Sequence, residues 1–308
     1  MTRDNQKTFP SFDGTVIAYT DEGQGPGVIL LHGLSADGRL FGPVDELRDE
    51  FAVIARTIGE LGVAPTLDVP PAGRRGLKAR LLEAGARVIV PDLRGHGASG
   101  KPHTAAAYEH AALARDALAL ADHLRLGRTA VCGYSLGAIV AAKLLVLQPE
   151  RVTSAVLAGI GKELLQGEVL ELPADHPAAA VAKTMTMRTY NNFVADVLVR
   201  GDATPGHPGA SYVALARAMH DDIAAVAAAL RGDGAEQVPA AALHQVNIPV
   251  LLINGRKDPA HLATGRLLEV LADGRAVVCE GDHLDAPWQP SFQQAVVDFL
   301  SGQWRAGT

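Results

Sequence analysis

A serine between two glycines lies in the stretch VCGYSLGAIVAAKLL, residues 131–145. The short run before Gly133 is typical of a buried strand, and the apolar run after Gly137 is typical of a buried helix. A G-x-S-x-G sequence between a strand and a helix predicts a nucleophile elbow, a strained turn that exposes the serine hydroxyl. The N-terminus of the following helix favours negative charge, and the N–H of Leu136 can donate to an oxyanion there. Ser135 is therefore the candidate nucleophile.

A serine hydroxyl needs a base to accept its proton, and the base needs a carboxylate to orient it. Both residue types occur downstream, because Asp258 follows an apolar run at 250–253 and His283 follows another at 276–279. Open α/β sheets place their sites at the carboxyl ends of the strands, so we expect both side chains to meet Ser135. The chain order Ser, Asp, His is the order expected after such an elbow. The sequence therefore predicts a triad of Ser135, His283 and Asp258.

Other interpretations of these polar residues remain open. Asp258 could have no role beyond capping the helix that follows it. Asp282 and Asp285, which flank the histidine, are then the alternative acids. His32 and His96 lie in glycine-containing turns, where we expect them to bond backbone groups of their loops rather than to react.

Short apolar segments alternate with helical ones along most of the chain. Continuous apolar runs are typical of parallel strands buried on both faces, and Asp13-Gly14 is a hairpin signal near the start. We predict strands at 9–12, 15–20, 28–31, 88–90, 129–132, 155–158, 250–253 and 276–279, and helices at 111–124, 138–147, 261–271 and 292–300. The alternation predicts an α/β fold with a mostly parallel sheet flanked by helices.

Two regions interrupt this alternation. Residues 159–247 contain no convincing strand and are rich in alanine, which predicts an inserted helical cap. Near residues 49–81 the segment 51–55 resembles a strand, and so does 87–91. Only one of the two can lie beside the strand at 28–31, and we favour the second. The predicted organisation is a core at 1–158 with an unusual insertion near 49–81, a helical cap at 159–247, and a second part of the core at 248–308.

Composition restricts the class of protein. The 308 residues carry a net charge of −6, are 48% hydrophobic and 20% charged, and include two cysteines. These values are ordinary for a globular protein, exclude bulk disorder, and argue against nucleic-acid binding. No apolar run is long enough for a membrane span, and the first residues lack a secretory signal. We expect a cytoplasmic monomer or homodimer that acts on a small molecule, without a nucleic-acid or membrane partner.

Five motifs resemble those of α/β-hydrolase-fold serine hydrolases with a helical cap, of the carboxylesterase type. They are LHGL at 31–34, PDLRGHGAS at 91–99, the elbow, NGRKD at 254–258 and GDH at 281–283. The resemblance covers nearly the whole chain, and the sequence departs from the family pattern at residues 49–81. It implies that the N–H of Leu34 joins that of Leu136 in the oxyanion hole and that the cap lies over the site. It implies neither a cofactor nor a metal.

Several reactions are compatible with a serine triad on this fold. A serine nucleophile argues against epoxide hydrolases and haloalkane dehalogenases, which use a carboxylate there. Esters are our first choice, and lactones, thioesters, carbon–carbon bonds and perhydrolysis remain alternatives, as does a ligand receptor without catalysis. We expect small to medium, mainly neutral substrates, because the cap offers apolar side chains and scattered arginines. The apolar side chains are Met185, Met187, Tyr190, Phe193, Val194, Tyr212 and Met219, and the arginines are Arg188, Arg200 and Arg217.

Overall fold

The computed structural model describes residues 5–60, 70–168, 186–201, 210–219, 221–233 and 237–306. Eight strands in these residues form one sheet, in the order β1-β2-β4-β3-β5-β6-β7-β8. The strands are β1 (Lys7–Pro10), β2 (Val16–Glu22), β3 (Gly27–Leu31), β4 (Arg87–Pro91), β5 (Thr129–Tyr134), β6 (Val152–Ala158), β7 (Val250–Gly255) and β8 (Gly274–Cys279). The two pairings of β2 are antiparallel and all pairings from β4 to β8 are parallel. The predicted fold class is confirmed.

Helices flank the sheet on both faces. They are α1 (Arg48–Glu60), α2 (Leu77–Glu83), α3 (His110–His123), α4 (Leu136–Leu147), α5 (Met187–Arg200), α6 (Ala210–Ala218), α7 (Ile223–Asp233), α8 (Ala240–His244), α9 (Thr264–Leu268) and α10 (Pro290–Ala306). One apolar cluster joins the sheet to α3, α4, α8 and α9, and a second joins its other face to α1, α2 and α10. The central strands are therefore buried on both sides, which is why they consist of continuous apolar residues.

The strand-like segment at 51–55 is a helix. Residues 51–55 lie within α1, whereas β4 pairs with β3, as favoured from the sequence. Leu47, Phe51 and Ile54 recur at helical spacing and are buried together, and the Phe51 ring packs edge-on against Trp288 at 4.9 Å. A short apolar run does not distinguish a strand from a buried helix, so only the tertiary contacts separate them.

The predicted cap region is helical where the structure describes it. Helices α5, α6 and α7 form an apolar cluster of their own, and α6 also packs against α1. Helix α1, which lies in the predicted insertion, thus contacts a helix of the predicted cap. In the described part of residues 159–247, an isolated bridge pairs Leu165 with Val238.

In the ranges that the structure describes, no helix is both long enough and apolar enough to cross a bilayer.

Candidate active site

Ser135 lies in a strained turn between β5 and α4. Its backbone has a φ of 54° and a ψ of −115°, a conformation that costs energy for a residue with a side chain. A Cβ on Gly133 would lie 2.1 Å from the carbonyl oxygen of Gly137, and a Cβ on Gly137 would lie 2.0 Å from that of Leu31. Only glycine fits at these two positions, so the turn can pass close to its neighbours and present the serine at its tip.

The structure brings the three predicted triad residues together. The Oγ of Ser135 is 3.0 Å from Nε2 of His283, and Nδ1 of the same ring is 2.8 Å from Oδ2 of Asp258. The carboxylate is 2% exposed, whereas the imidazole is 40% exposed. This chain of hydrogen bonds can transfer a proton from the serine hydroxyl to the ring while the carboxylate stabilises the resulting positive charge.

Asp258 both caps a turn and binds the histidine. It precedes a 3₁₀ helix at Pro259–Ala263, and its Oδ1 accepts a hydrogen bond of 2.9 Å from the N–H of Ala260. The other carboxylate oxygen is left for His283. The capping interpretation and the triad interpretation are therefore compatible, because the two oxygens have different partners.

The loop that carries His283 is held by its neighbours. The hydroxyl of Tyr134 donates to the carbonyl of His283 at 2.8 Å. Asp282 accepts hydrogen bonds from the N–H groups of Leu284 and Asp285. Asp285 accepts from the N–H of Asp282 and from the Gln289 side chain. The two alternative acids thus bind backbone and amide groups of this region, and neither forms a hydrogen bond to the imidazole.

The contact between His283 and Asp258 favours the charged form of both groups. Burial lowers the pKa of His283, but the charge of Asp258 and its hydrogen bond outweigh this effect, so the pKa lies above the usual 6.5. Burial raises the pKa of Asp258, but the charge and hydrogen bond of His283 bring it below 3.8. At neutral pH the carboxylate is ionised and can stabilise an imidazolium.

A known protein family matches most of the chain. Residues 26–261 match the family described as alpha/beta hydrolase fold. The chain belongs to this family. Membership in the alpha/beta hydrolase fold family supports hydrolase activity for the protein.

Individual relatives show how far the similarity extends. The chain is 29% identical over 217 residues to 3-oxoadipate enol-lactonase 2 of Acinetobacter baylyi, and the match covers 68% of this chain and 76% of that protein. An esterase from Exiguobacterium antarcticum superposes with a TM-score of 0.66 at 20% identity, covering 97% of this chain and 99% of that one. An enol-lactonase from Burkholderia xenovorans superposes with a TM-score of 0.62 at 21% identity, covering 96% and 100%. At these identities the two structural matches establish the fold alone.

One expected oxyanion donor directly follows Ser135, and the other lies on a segment that passes beside it. Leu136 is the first residue of α4, and the segment containing Leu34 passes next to the elbow, since a Cβ on Gly33 would lie 3.3 Å from Cβ of Ser135. In the described residues, the N–H groups of Leu34 and Leu136 donate to no acceptor. Their role in binding an oxyanion remains a prediction.

His32 and His96 stabilise the loops beneath the site. Nδ1 of His32 donates to the carbonyl of Gly33 at 2.8 Å, and its Nε2 accepts from the N–H of Leu93 at 2.9 Å. Burial lowers the pKa of His32, and burial lowers that of His96 to about 3, so both rings are neutral. This agrees with the structural role expected from the sequence.

Most of the cap side chains named as pocket candidates face other cap helices. Tyr190 is buried in the α5–α7 cluster and its ring meets that of Tyr212 at 6.5 Å, while Phe193 packs against the same cluster together with Leu34. Val194 is also buried there, and Met219 packs against the cluster that includes α1. Met185 lies outside the described residues, as does the side chain of Met187. Packing between helices therefore explains the positions of those pocket candidates that the structure describes.

Three residues near the site were not singled out by the sequence. Tyr134 supports the histidine loop, and its position inside the elbow was the available signal. Glu163 is buried just after β6, and an acidic residue soon after a strand end could have indicated it. Arg94 is fully buried and pairs with Asp116 and Asp13, which holds the loop after β4 in place.

Proposed function

We propose that the protein is a serine hydrolase that cleaves carboxylic esters of small to medium, mainly neutral substrates through an acyl-enzyme on Ser135. One observation carries the proposal: Oγ of Ser135 is 3.0 Å from Nε2 of His283, whose Nδ1 is 2.8 Å from Asp258. Serine, imidazole and carboxylate in this order form the hydrogen-bonded arrangement that activates a serine for attack on a carbonyl carbon.

In the first step, Oγ of Ser135 attacks the ester carbonyl while Nε2 of His283 accepts the hydroxyl proton. The attack requires a neutral ring whose Nδ1–H points at Asp258, and the carboxylate then stabilises the imidazolium that forms. The carbonyl electrons move onto oxygen, and the N–H groups of Leu34 and Leu136 donate to this oxyanion.

The tetrahedral intermediate collapses when its C–O bond to the alcohol breaks. His283 returns the proton to the departing alkoxide, which leaves as the alcohol, and the acyl group remains on Ser135. A water molecule then attacks the acyl carbon with His283 again acting as base. The products are the carboxylic acid and the free serine.

The preference for neutral substrates rests on the distribution of charge. Arg188, Arg200 and Arg217 lie on exposed faces of α5 and α6, and the guanidinium of Arg217 donates to the carbonyl of Gly201. Buried carboxylates, by contrast, lie close to the base at Asp258 and Glu163. A substrate carboxylate would lose its hydration, and these three arginines, which lie on exposed faces in the described part of the chain, would not replace it.

Lactone hydrolysis is the second candidate. A lactone is a cyclic ester, so the same steps apply, with the alcohol remaining attached to the acyl chain after ring opening. The 29% identity to a protein named as an enol-lactonase favours this candidate over the other reactions that a serine triad allows.

A fluorophosphonate probe tests the proposal independently of the substrate. We expect stoichiometric labelling, located by peptide mass spectrometry at Ser135, and loss of labelling in Ser135→Ala and His283→Ala. A panel of p-nitrophenyl esters and five- and six-membered lactones then ranks the two candidates by kcat/KM. A folded protein that neither reacts with the probe nor turns over any member of the panel would instead support a ligand receptor.

A further inference from the structure

A second buried carboxylate lies beside the triad, where the chain leaves β6 for the cap. Glu163 belongs to a 3₁₀ turn at Lys162–Leu164 and is only 8% exposed. Its Oε1 accepts a hydrogen bond of 2.8 Å from the N–H of Gly161. Among the residues that the structure describes, no lysine or arginine forms an ion pair with it. In the described part of the chain, its charge is therefore not neutralised by a basic side chain.

The segment that carries Glu163 passes along the base and then the acid of the triad. A Cβ on Gly159 would lie 3.2 Å from Cε1 of His283. A Cβ on Gly161 would lie 2.8 Å from both Oε2 of Glu163 and the carbonyl oxygen of Ala260, in the turn that Asp258 caps. The carboxylate of Glu163 and the turn that Asp258 caps thus both lie within a few ångströms of that glycine.

This segment is fixed to β7 by one buried side chain. Asn254 accepts a hydrogen bond from the N–H of Ile160 and donates to the carbonyl of the same residue, each at 3.1 Å. Its amide also donates to the hydroxyl of Thr264 at 2.8 Å. These buried bonds fix the segment before Glu163 to the strand that precedes Asp258.

We propose that Glu163 is a positioning residue whose buried charge stabilises the protonated form of His283 and thereby sets the pH range in which the base is free. The proposal rests on the proposed function, because it assigns His283 as the base. Asp258 acts on the ring through a hydrogen bond, whereas Glu163 acts through space in a medium that screens charge poorly. Its second effect is to stabilise the imidazolium that forms during attack.

Other charged groups act on the same ring. Asp258, Asp282 and Glu163 are the acidic groups that raise the pKa of His283 against the effect of burial. The pKa of Glu163 lies above its usual 4.5, because burial and the charge of Asp258 outweigh the hydrogen bonds and the charge of His283, which favour the ionised carboxylate. His261 is a further ionisable group acting on Asp258. Glu163 differs from Asp258 and Asp282 because it lies on the segment that leads into the cap.

The test is Glu163→Gln, with Glu168→Gln as the matched control. Glutamine preserves the volume and the acceptor for Gly161 but removes the charge. Glu168 lies on the same segment, and its carboxylate pairs with Arg266 at 3.3 Å rather than facing the triad. The pKa of His283 is measured by NMR titration of its Cε1–H, assigned by comparison with His283→Gln, and in parallel from the pH profile of kcat/KM.

We expect Glu163→Gln to lower the pKa of His283 by about half a unit or more, since loss of a nearby negative charge disfavours the imidazolium. The variant then keeps a larger fraction of its maximal kcat/KM at low pH, while that maximum falls several-fold. Glu168→Gln should leave the pKa within about 0.2 units, and Glu163→Asp, which retains the charge, should shift it less than glutamine does.

Equal pKa values in wild type and Glu163→Gln would overturn the proposal, as would an equal shift in Glu163→Asp and Glu163→Gln. If the glutamine variant does not fold, Glu163→Met removes the charge at similar volume and is held to the same criteria. The NMR measurement needs no turnover, so it is separable from the proposed function. A shift of the His283 pKa without fluorophosphonate labelling would support the charge effect and contradict the hydrolase mechanism. Labelling without a shift would support the hydrolase mechanism and contradict the charge effect.

Discussion

The strand-end loops that carry the triad and the helices of the cap are stabilised by different interactions. At these strand ends, polar groups bind one another directly: Asp258 binds His283, Asn254 of β7 binds the backbone of Ile160, and Arg94 after β4 binds Asp116 of α3. The described cap helices instead meet through small apolar side chains. These include Val194, Ala195, Val197, Val213, Ala216, Val226 and Ala227.

This difference indicates how the two regions respond to change. A hydrogen bond fixes direction, and a buried polar group that loses its partner keeps the full cost of desolvation. Apolar packing fixes volume only and tolerates exchanges of similar size. We expect the loops to preserve the chemistry and the cap to accommodate changes in the substrate.

The largest effect is expected when the nucleophile of the loops is removed. Ser135→Ala should lower kcat for an active ester by about 10³-fold or more, because the covalent route is lost while the fold is unchanged. Initial rates at saturating substrate give kcat, and the midpoint of thermal unfolding shows whether the variant is still folded. A variant that keeps more than about a tenth of the activity would show that Ser135 is not the nucleophile.

Replacing the acid tests whether its partner is the one seen in the structure. Asp258→Asn should lower kcat by about 10²–10⁴-fold, because an amide stabilises the wrong tautomer of His283 and cannot balance the imidazolium. Asp285→Asn serves as the comparison, since that carboxylate binds the Asp282 N–H and Gln289 and should affect kcat much less. The reverse order of the two effects would transfer the role of acid to Asp285.

Two conservative substitutions compare the regions directly through stability. Asp116→Asn removes the buried carboxylate partner of the fully buried Arg94, which keeps only the partly exposed Asp13, and should destabilise the protein by about 3 kcal/mol. Leu198→Met, in the buried cluster of the cap, should cost less than about 1.5 kcal/mol. Urea unfolding of both variants measures the difference. Equal decreases in the free energy of unfolding would mean that the polar contacts tolerate substitution as well as the apolar packing of the cap does.

The pH dependence of kcat/KM reports on the base. Because the pKa of His283 is raised above 6.5 by Asp258, the protonated and inactive form persists to higher pH than it would for a free histidine. As the pH falls below this pKa, kcat/KM should decrease about tenfold per unit. A profile at constant ionic strength measures the midpoint. Activity that is flat down to pH 4, or a midpoint clearly below 6.5, would contradict the assignment.

The smallest effect per step concerns the length of the substrate's acyl chain. Each added CH₂ in an acyl chain gains about 0.8 kcal/mol when buried, so kcat/KM should rise about fourfold per CH₂ from acetate until the pocket is filled. We expect p-nitrophenyl esters of about C4 to C8 to be the best substrates, given ordinary pocket volumes of about 300–1,000 Å³. Acetate exceeding butyrate and hexanoate, or a preference for hemisuccinates, would show that this expectation is wrong.

Several elements of the fold could be predicted because their signals are local. The strands before Ser135, Asp258 and His283 are continuous apolar runs, and polar residues follow each of them. The helix at 51–55 could not be predicted, because its apolar run fits either period and only its contacts with Trp288 and the cap decide between them.

The sequence by itself determined the order of the candidate triad and the strand ends on which it lies. It also determined the close glycine turn around Ser135, because glycine spacing and apolar runs are properties of neighbouring residues. Only the tertiary structure decided that Asp258 rather than Asp285 binds His283, and that Tyr134 and Glu163 lie beside it. These contacts join residues far apart in the chain, so they depend on the packing of whole strands and loops, which no local pattern encodes.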